Sequence, residues 1–222
     1  MLWTLLIALA LLSSVQSKSA YCILKEDLNS GIHGYVKFYQ SDQDHPTQIS
    51  ARVKGLQPGT FHGFHIHEKN DFTQGCISAG PHYNPHGKEH GSPFDENRHV
   101  GDMGNLQGRK GEQAEMSYSD PIITLYGEYS IINRACVVHE KADDLGKGGH
   151  KDSKTTGNAG ARFACGAIVE GELPPEYLHT LDDKNSSSNF VWKFLLVIGA
   201  CAVFYYIGMR VKGGYKKLED TE

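Results

Sequence analysis

The chain has 222 residues and a formal net charge of −4 at neutral pH. Its length suits one core domain of about 150 residues with an extension at each end. Because the chain is mildly acidic and has no run of basic residues, its composition argues against a general nucleic-acid or heparin-binding surface.

The first extension begins with an apolar segment, residues 2–12, that is too short to span a bilayer. Small and polar residues follow it, with Val15 and Ser17 at the positions where signal peptidase requires small side chains. The pattern predicts a secretory signal peptide over residues 1–17, cleaved after Ser17. A buried first helix is the alternative interpretation.

Strand-like patterns occupy the next part of the chain. Apolar and polar residues alternate from Tyr21 to Tyr39 and again over residues 47–53. Further β-branched and apolar runs cover residues 121–132 and 134–140. Short strands separated by glycine-rich turns predict an all-β barrel or sandwich.

Two histidines lie two residues apart in a short apolar run, His65-Ile66-His67. If this run is a strand, both imidazoles point to the same face and can reach one metal ion. Such a pair by itself is more often a surface feature than a metal site, so the residues that follow decide its interpretation.

A long loop rich in Gly, Pro, Asn and His follows this pair, and His82, His90, His99 and Asp102 recur through it. A loop of this kind inside a compact domain is usually functional or disordered. A bound metal would supply the order that packing cannot. Three imidazoles and one carboxylate also complete a tetrahedral zinc site.

Several stretches of the chain resemble the copper/zinc superoxide dismutase family, in the family's order and with compatible spacing from Tyr21 to Ile168. They read GFHIHE, GCISAGPHYNP, RHVGDMGN, VVHEKADDLGKGG and GNAGARFACGAI. A match in several parts is far more specific than any single short motif. The resemblance implies an eight-stranded Greek-key β-barrel with two long functional loops, the second running from about Glu140 to Gly160.

The resemblance also implies two metal sites that share one histidine. The implied copper ligands are His65, His67, His82 and His139. The implied zinc ligands are His82, His90, His99 and Asp102. Serving both ions requires His82 to be an imidazolate, which two adjacent cations can stabilise.

Four more residues have implied roles. Arg162 matches the channel arginine that attracts a small anion, although a surface salt bridge is the alternative. Asp143 matches the carboxylate that hydrogen-bonds one ligand histidine of each metal, although a helix or turn cap is the alternative. Cys76 and Cys165 match the family's disulfide pair.

The implied activity is the disproportionation of superoxide, with copper as the redox ion and zinc as the ion that holds the geometry. One superoxide reduces copper and leaves as dioxygen. A second reoxidises copper, takes up two protons and leaves as hydrogen peroxide, with His82 as a proton carrier. The main alternative is a non-catalytic copper/zinc-binding module at a cell surface, which would not need both a full ligand set and the arginine.

The second long loop departs from the familiar pattern of the family. Lys151 and Lys154 flank Asp152, so the loop is less acidic than expected beside an anion channel. If both lysines face the channel, they raise the local concentration of anions, an effect that salt must screen.

The surface that relatives use for dimerisation also departs from expectation. Bulky or charged residues stand where the resemblance expects a small apolar patch: Lys69, Asn70, Asn133 and Glu170. Because charged groups are costly to desolvate, the usual homodimer of the family is doubtful for this chain. A monomer or a different assembly is expected.

The second extension begins after a dismutase-like domain over residues 18–170. Residues 171–189 are proline-led and polar, which predicts a juxtamembrane stalk. Residues 190–209 are long and apolar enough for one transmembrane helix, and the basic tail over residues 210–222 places that end in the cytosol. We therefore expect a single-pass type I protein of the cell or a secretory-pathway membrane, with an extracellular or lumenal domain. A lipid-anchor signal is the alternative.

Overall fold

The computed structural model of the chain describes residues 16–111 and 113–181. The chain divides into one compact unit that ends at Tyr177 and a second that begins at Leu178. The described elements are, in order, β1 (Lys18–Glu26), β2 (His33–Gln40), β3 (Thr47–Lys54), β4 (Phe61–His67), β5 (Thr73–Cys76), a 3₁₀ helix (Ile77–Ala79), β6 (Asp102–Gln107), β7 (Ala114–Asp120), β8 (Ala135–His139), α1 (Ser153–Thr156), β9 (Arg162–Glu170) and α2 (Pro175–Leu181).

Eight of the strands form one antiparallel sheet in the order β6-β4-β8-β9-β1-β2-β3-β7. The two outermost strands, β6 and β7, contact each other, so the sheet nearly closes into a barrel. Strand β3 does not neighbour β4, and β7 does not neighbour β8, so two connections cross between distant strands as in Greek-key topology. The predicted all-β, eight-stranded fold is confirmed.

Side-chain alternation explains how these strands build a core. In β1 the inward residues Ala20, Cys22 and Leu24 are buried, while the residues between them are partly exposed. In β3 every second residue from Thr47 to Val53 is buried. Apolar residues on one face of a strand make a continuous interior when the sheet curves, so alternation in the sequence sufficed to predict this part.

Strands β4 and β8 differ because both of their faces are covered. Six of the seven residues of β4 and all five residues of β8 are buried. Phe64 and Ile66 point into the barrel core, whereas His65 and His67 lie on the opposite face. That outer face is covered by the two long loops, and it carries the functional side chains.

The predicted extensions are described only in part. The signal peptide and the transmembrane segment lie outside the described residues. Within residues 16–111 and 113–181, no helix has both the length and the apolar character that crossing a membrane requires. The start of the predicted stalk is ordered: Leu173 is buried, Gly171 N–H donates to the Ser19 carbonyl, and helix α2 follows.

Candidate metal centre

Buried side chains on the outer face of the barrel form two four-residue groups. In each group the ligand atoms lie within 4.8 Å of one another. The first group contains His65, His67, His82 and His139. The second contains His82, His90, His99 and Asp102. His82 belongs to both, so the structure brings together all the residues that the sequence predicted for two adjoining sites.

Backbone pairing explains how distant parts of the chain reach the first group. Strands β4 and β8 pair antiparallel, which places His139 of β8 beside the two histidines of β4. His82 reaches the group because it forms an isolated bridge with His67, and Tyr83 N–H donates to the Ile66 carbonyl at 2.8 Å. The long loop is thus tied to the strand it covers.

Hydrogen bonds outside the first group decide which ring nitrogens face inward. His67 Nδ1 donates to the Gly80 carbonyl at 2.8 Å, so its Nε2 is left for a ligand. His139 Nδ1 lies 3.4 Å from the Gly160 carbonyl, and its Nε2 is 3.1 Å from His67 Nε2. Two neutral nitrogens of this kind can share one cation, because their lone pairs point to the same position.

The second group converges on one carboxylate oxygen. Asp102 Oδ1 lies 3.2 Å from His82 Nδ1, 2.8 Å from His90 Nδ1 and 3.2 Å from His99 Nδ1. The other oxygen, Oδ2, accepts the backbone N–H groups of Gly91 and His99. The carboxylate is therefore held with one oxygen free to face three imidazoles.

Asp143 joins the two groups from behind. Its Oδ2 accepts His65 Nε2–H at 2.8 Å, and its Oδ1 accepts His90 Nε2–H at 2.8 Å. A Cβ on Gly157 would approach Asp143 Oδ1 to 1.9 Å, and the φ of Gly157 is +65°, so only glycine fits there. One carboxylate therefore orients one ring in each group, as the sequence predicted.

The titration behaviour of these groups follows from burial and charge. Burial, together with the neighbouring histidines, lowers the pKa of His65 and His67 well below the usual range, and burial lowers that of His139 to about 3. Burial also lowers the pKa of His82. Burial acts to lower the pKa of His90 as well, but hydrogen bonds to Asp102 and Asp143 outweigh it and raise this pKa to about 9.

The residues present fit copper and zinc. His65 Nδ1, His82 Nε2 and His99 Nδ1 are buried ring nitrogens that form no hydrogen bond within the described chain, although His99 Nδ1 lies 3.2 Å from Asp102 Oδ1. Leaving a buried polar atom unsatisfied costs about 1–3 kcal/mol each. A cation at the centre of each ligand group would satisfy these nitrogens, and imidazole-rich sites with a carboxylate suit copper and zinc.

Arg162 lies beside the first group at the start of β9. Its Nη1 donates to the carbonyls of Cys76 and Ile77 at 2.9 and 3.1 Å, and its Nη2 donates to that of Gly80 at 2.6 Å. A pocket of about 350 Å³ is lined by this arginine together with His67, His82 and His139. A fixed positive charge therefore faces the accessible side of the first group.

A disulfide and a loop complete the surroundings of the pocket. Cys76 and Cys165 are bonded, which ties the loop after β5 to β9. Lys151 and Lys154 are not among the described residues that line this pocket. Lys154 instead forms an ion pair with Glu89 at 3.3 Å.

Three supporting residues were missed by sequence reasoning. Arg98 is buried and forms a bidentate ion pair with Asp120, whose carboxylate also accepts two backbone N–H groups. Asn105 exchanges two hydrogen bonds with the backbone of Asp143. The only sequence signal was that Arg98 and Asn105 stand beside the predicted ligands, and proximity along the chain does not reveal a partner.

The fold and these two groups define a β-barrel with a dinuclear metal centre built around a shared histidine. The sequence model of the copper/zinc superoxide dismutase family matches residues 32–168, more than half of the chain. The copper/zinc superoxide dismutase 5 of Dictyostelium discoideum is 53% identical over 155 residues, which cover 70% of this chain and 99% of that protein. The chain belongs to the copper/zinc superoxide dismutase family.

Family membership settles the class of reaction and the metals. The chain is an oxidoreductase that acts on superoxide, and its cofactors are copper and zinc.

Proposed function

We propose that this chain is a membrane-anchored superoxide dismutase whose catalytic domain faces the cell exterior or a lumen. The observation that carries the catalytic part is that His82 belongs to both buried ligand groups while Arg162 faces the accessible one. A chain that only stored metal would not need a fixed cation beside an open pocket.

The two ligand groups have different roles in this proposal. Copper is held by His65, His67, His82 and His139. Zinc is held by His82, His90, His99 and Asp102. When bound, copper supplies a one-electron carrier, whereas zinc has no accessible redox chemistry and maintains the arrangement of the loop.

The chain's own residues bind the substrate and supply a proton. The positive charge of Arg162 attracts superoxide into the pocket. Three carbonyls hold the guanidinium in one orientation, so it also orients the substrate. His82 lines the pocket, and its Nε2 has no hydrogen-bond partner in the described chain, so this atom can hold a proton for the reduced product whenever it is not serving as a metal ligand. Two superoxide ions and two protons yield one dioxygen and one hydrogen peroxide.

Several features support the location. The apolar segment at residues 2–12, the apolar segment at residues 190–209 and the basic residues beyond it suit a type I protein. Strand β1 begins at Lys18, directly after the expected cleavage site, so removal of the signal peptide leaves the barrel intact. The chain also has a structural disulfide, a feature typical of proteins in oxidising compartments.

The proposed assembly is not the usual homodimer of the family. Lys69 and Glu170 are exposed, and Glu170 forms an ion pair with Lys18 at 3.5 Å. Desolvating such groups would oppose association. Sedimentation of the full chain in density-matched detergent should give one polypeptide per micelle, and a tight dimer would contradict this part of the proposal.

The catalytic proposal is tested on the full chain in detergent, loaded with copper and zinc. Superoxide consumption and metal content are compared for the wild type, His139→Ala and His33→Ala. His33 is an exposed histidine at the start of β2, so its variant controls for loss of an imidazole as such. We expect only His139→Ala to lose both copper and activity. Full metal occupancy without activity in the wild type would favour a copper-binding module instead.

The orientation is tested separately on intact cells that produce the chain with an epitope at each end of the mature protein. Protease added outside should remove the N-terminal epitope and leave the C-terminal one. Protection of both epitopes at the cell surface and in sealed secretory vesicles would contradict the orientation we propose.

A further inference from the structure

The position of Arg162 depends on one short segment. All three carbonyls that hold its guanidinium belong to the stretch from Cys76 to Gly80, which contains the 3₁₀ helix. Whatever fixes this stretch against the barrel therefore fixes the charge at the pocket. The disulfide from Cys76 to Cys165 is one such anchor, and it acts through a side chain.

Asp27 provides a second anchor that acts on the backbone. It follows β1 directly, and its Oδ2 accepts the backbone N–H of Cys76 at 2.7 Å. Its Oδ1 accepts the N–H of Leu28 at 2.8 Å, which fixes the carboxylate. Asp27 N–H in turn donates to the Phe163 carbonyl at 2.7 Å, next to Arg162 in β9.

These contacts form a closed ring. It runs from Arg162 through its hydrogen bond to the Cys76 carbonyl, through the Cys76 N–H to Asp27, and from Asp27 N–H to Phe163, which is covalently joined to Arg162. A closed ring restrains each member more than a linear chain would, because no member can move without breaking a bond elsewhere.

The approach of the carboxylate is close and requires a glycine. Gly75 precedes Cys76 with a φ of +73°, and a Cβ built there would lie 2.6 Å from Asp27 Oδ2. The glycine thus lets the carboxylate reach the backbone of the loop. Asp27 also lines the active-site pocket, where its negative charge opposes the entry of an anion. A carboxylate at that position is unfavourable for steering and needs another reason.

We propose that Asp27 is a positioning residue for the dismutase reaction, which holds Arg162 in place through the backbone of Cys76. A carboxylate suits this task because a charge-assisted hydrogen bond is shorter and stronger than a neutral one. The proposal rests on the role of Arg162 proposed above. It predicts that removing a negative charge from the pocket wall weakens anion binding, the opposite of what simple electrostatics requires.

The test compares Asp27→Ala, Asp27→Asn and Asp71→Ala in the full-length, metal-loaded chain. Asp71 lies between β4 and β5 and accepts the backbone N–H of Thr73 at 2.9 Å. Its variant therefore removes an equal charge and a similar hydrogen bond that does not involve Cys76. Azide, a small linear anion, is titrated into the cupric enzyme by absorbance. Nitrogen NMR of the reduced, diamagnetic enzyme reports the rotation of the Arg162 guanidinium.

We expect Asp27→Ala to weaken azide binding by about tenfold, as for loss of one hydrogen bond to a charged group, and to speed rotation of the Arg162 guanidinium. Asp27→Asn keeps a hydrogen-bond acceptor, so it should retain most of the wild-type azide affinity and most of the restraint on the Arg162 guanidinium. Asp71→Ala should match the wild type in both measurements. Equal or tighter azide binding in Asp27→Ala, with unchanged guanidinium rotation, would overturn the proposal. A wild type that neither binds azide nor consumes superoxide would instead overturn the proposed function.

Discussion

Asn105 on β6 and Asp143 in the second long loop exchange two hydrogen bonds. Asn105 Nδ2 donates to the Asp143 carbonyl at 2.9 Å, and Asp143 N–H donates to Asn105 Oδ1 at 2.8 Å. Asp143 in turn holds one histidine of each ligand group. An amide that touches no ligand therefore sets the position of the carboxylate that orients both sites.

The first prediction concerns this amide. Asn105→Ala should weaken the binding of both copper and zinc by about tenfold, the lower end of the effect of losing a direct partner of a metal ligand, because Asn105 acts through the backbone of Asp143. Competition with chelators of known affinity measures it. Asn84→Ala is the matched control, because Asn84 makes the same two-bond exchange with Lys88 on the exposed side of the loop. Equal losses in both variants would argue against a specific role for Asn105.

The second prediction concerns the buried ion pair of Arg98 and Asp120. Removing the guanidinium leaves a fully buried carboxylate without its charge partner, so Arg98→Ala should lower the free energy of unfolding by about 3–5 kcal/mol. Urea denaturation of the metal-loaded chain measures the change. Lys147→Ala breaks the exposed pair with Asp95 and should cost less than about 1 kcal/mol. Similar values for the two variants would contradict the importance of burial here.

The third prediction concerns the disulfide. The bond closes a loop with a sequence separation of 89, so its reduction should lower the free energy of unfolding by about 4–5 kcal/mol in the chain-entropy account. Reduction should also weaken azide binding, since the same loop holds Arg162. The double variant Cys76→Ala, Cys165→Ala should show no response to reductant. A response there would mean that reductant acts elsewhere, for example on the metals.

The fourth prediction concerns removal of the metals. Metal that binds only the folded chain should stabilise it by about 4 kcal/mol at a thousandfold excess over the dissociation constant, so chelation should lower the melting temperature. His99 belongs only to the second ligand group and His67 only to the first. Calorimetry should therefore show that His99→Ala abolishes the zinc-dependent rise in melting temperature and retains the copper-dependent rise. His67→Ala should abolish the copper-dependent rise and retain the zinc-dependent one. Loss of both shifts in each variant would show that the sites are not separable.

The sequence determined the parts of this protein that depend on periodicity and on residue type. The period of two along a strand placed His65 and His67 on one face, and alternation elsewhere predicted an all-β barrel or sandwich, which the family resemblance narrowed to a barrel. Motifs in the family's order and spacing, such as GCISAGPHYNP and RHVGDMGN, carry the family resemblance, and that resemblance implied the candidate ligands His82 and Asp102 in the long loop. These features are local, so no knowledge of the packed structure was needed to predict them.

Only the tertiary structure decided how the side chains meet. Which nitrogen of His67 faces inward depends on the Gly80 carbonyl. The position of the Arg162 guanidinium depends on carbonyls that are distant along the chain. Asp27 shows this most clearly, because its partner Cys76 lies 49 positions away. Such contacts arise when strands and loops close on one another, and neither residue carries a local signal of its partner. The physical reason is that hydrogen bonds and ion pairs depend on positions in space, which the packing of the whole barrel sets.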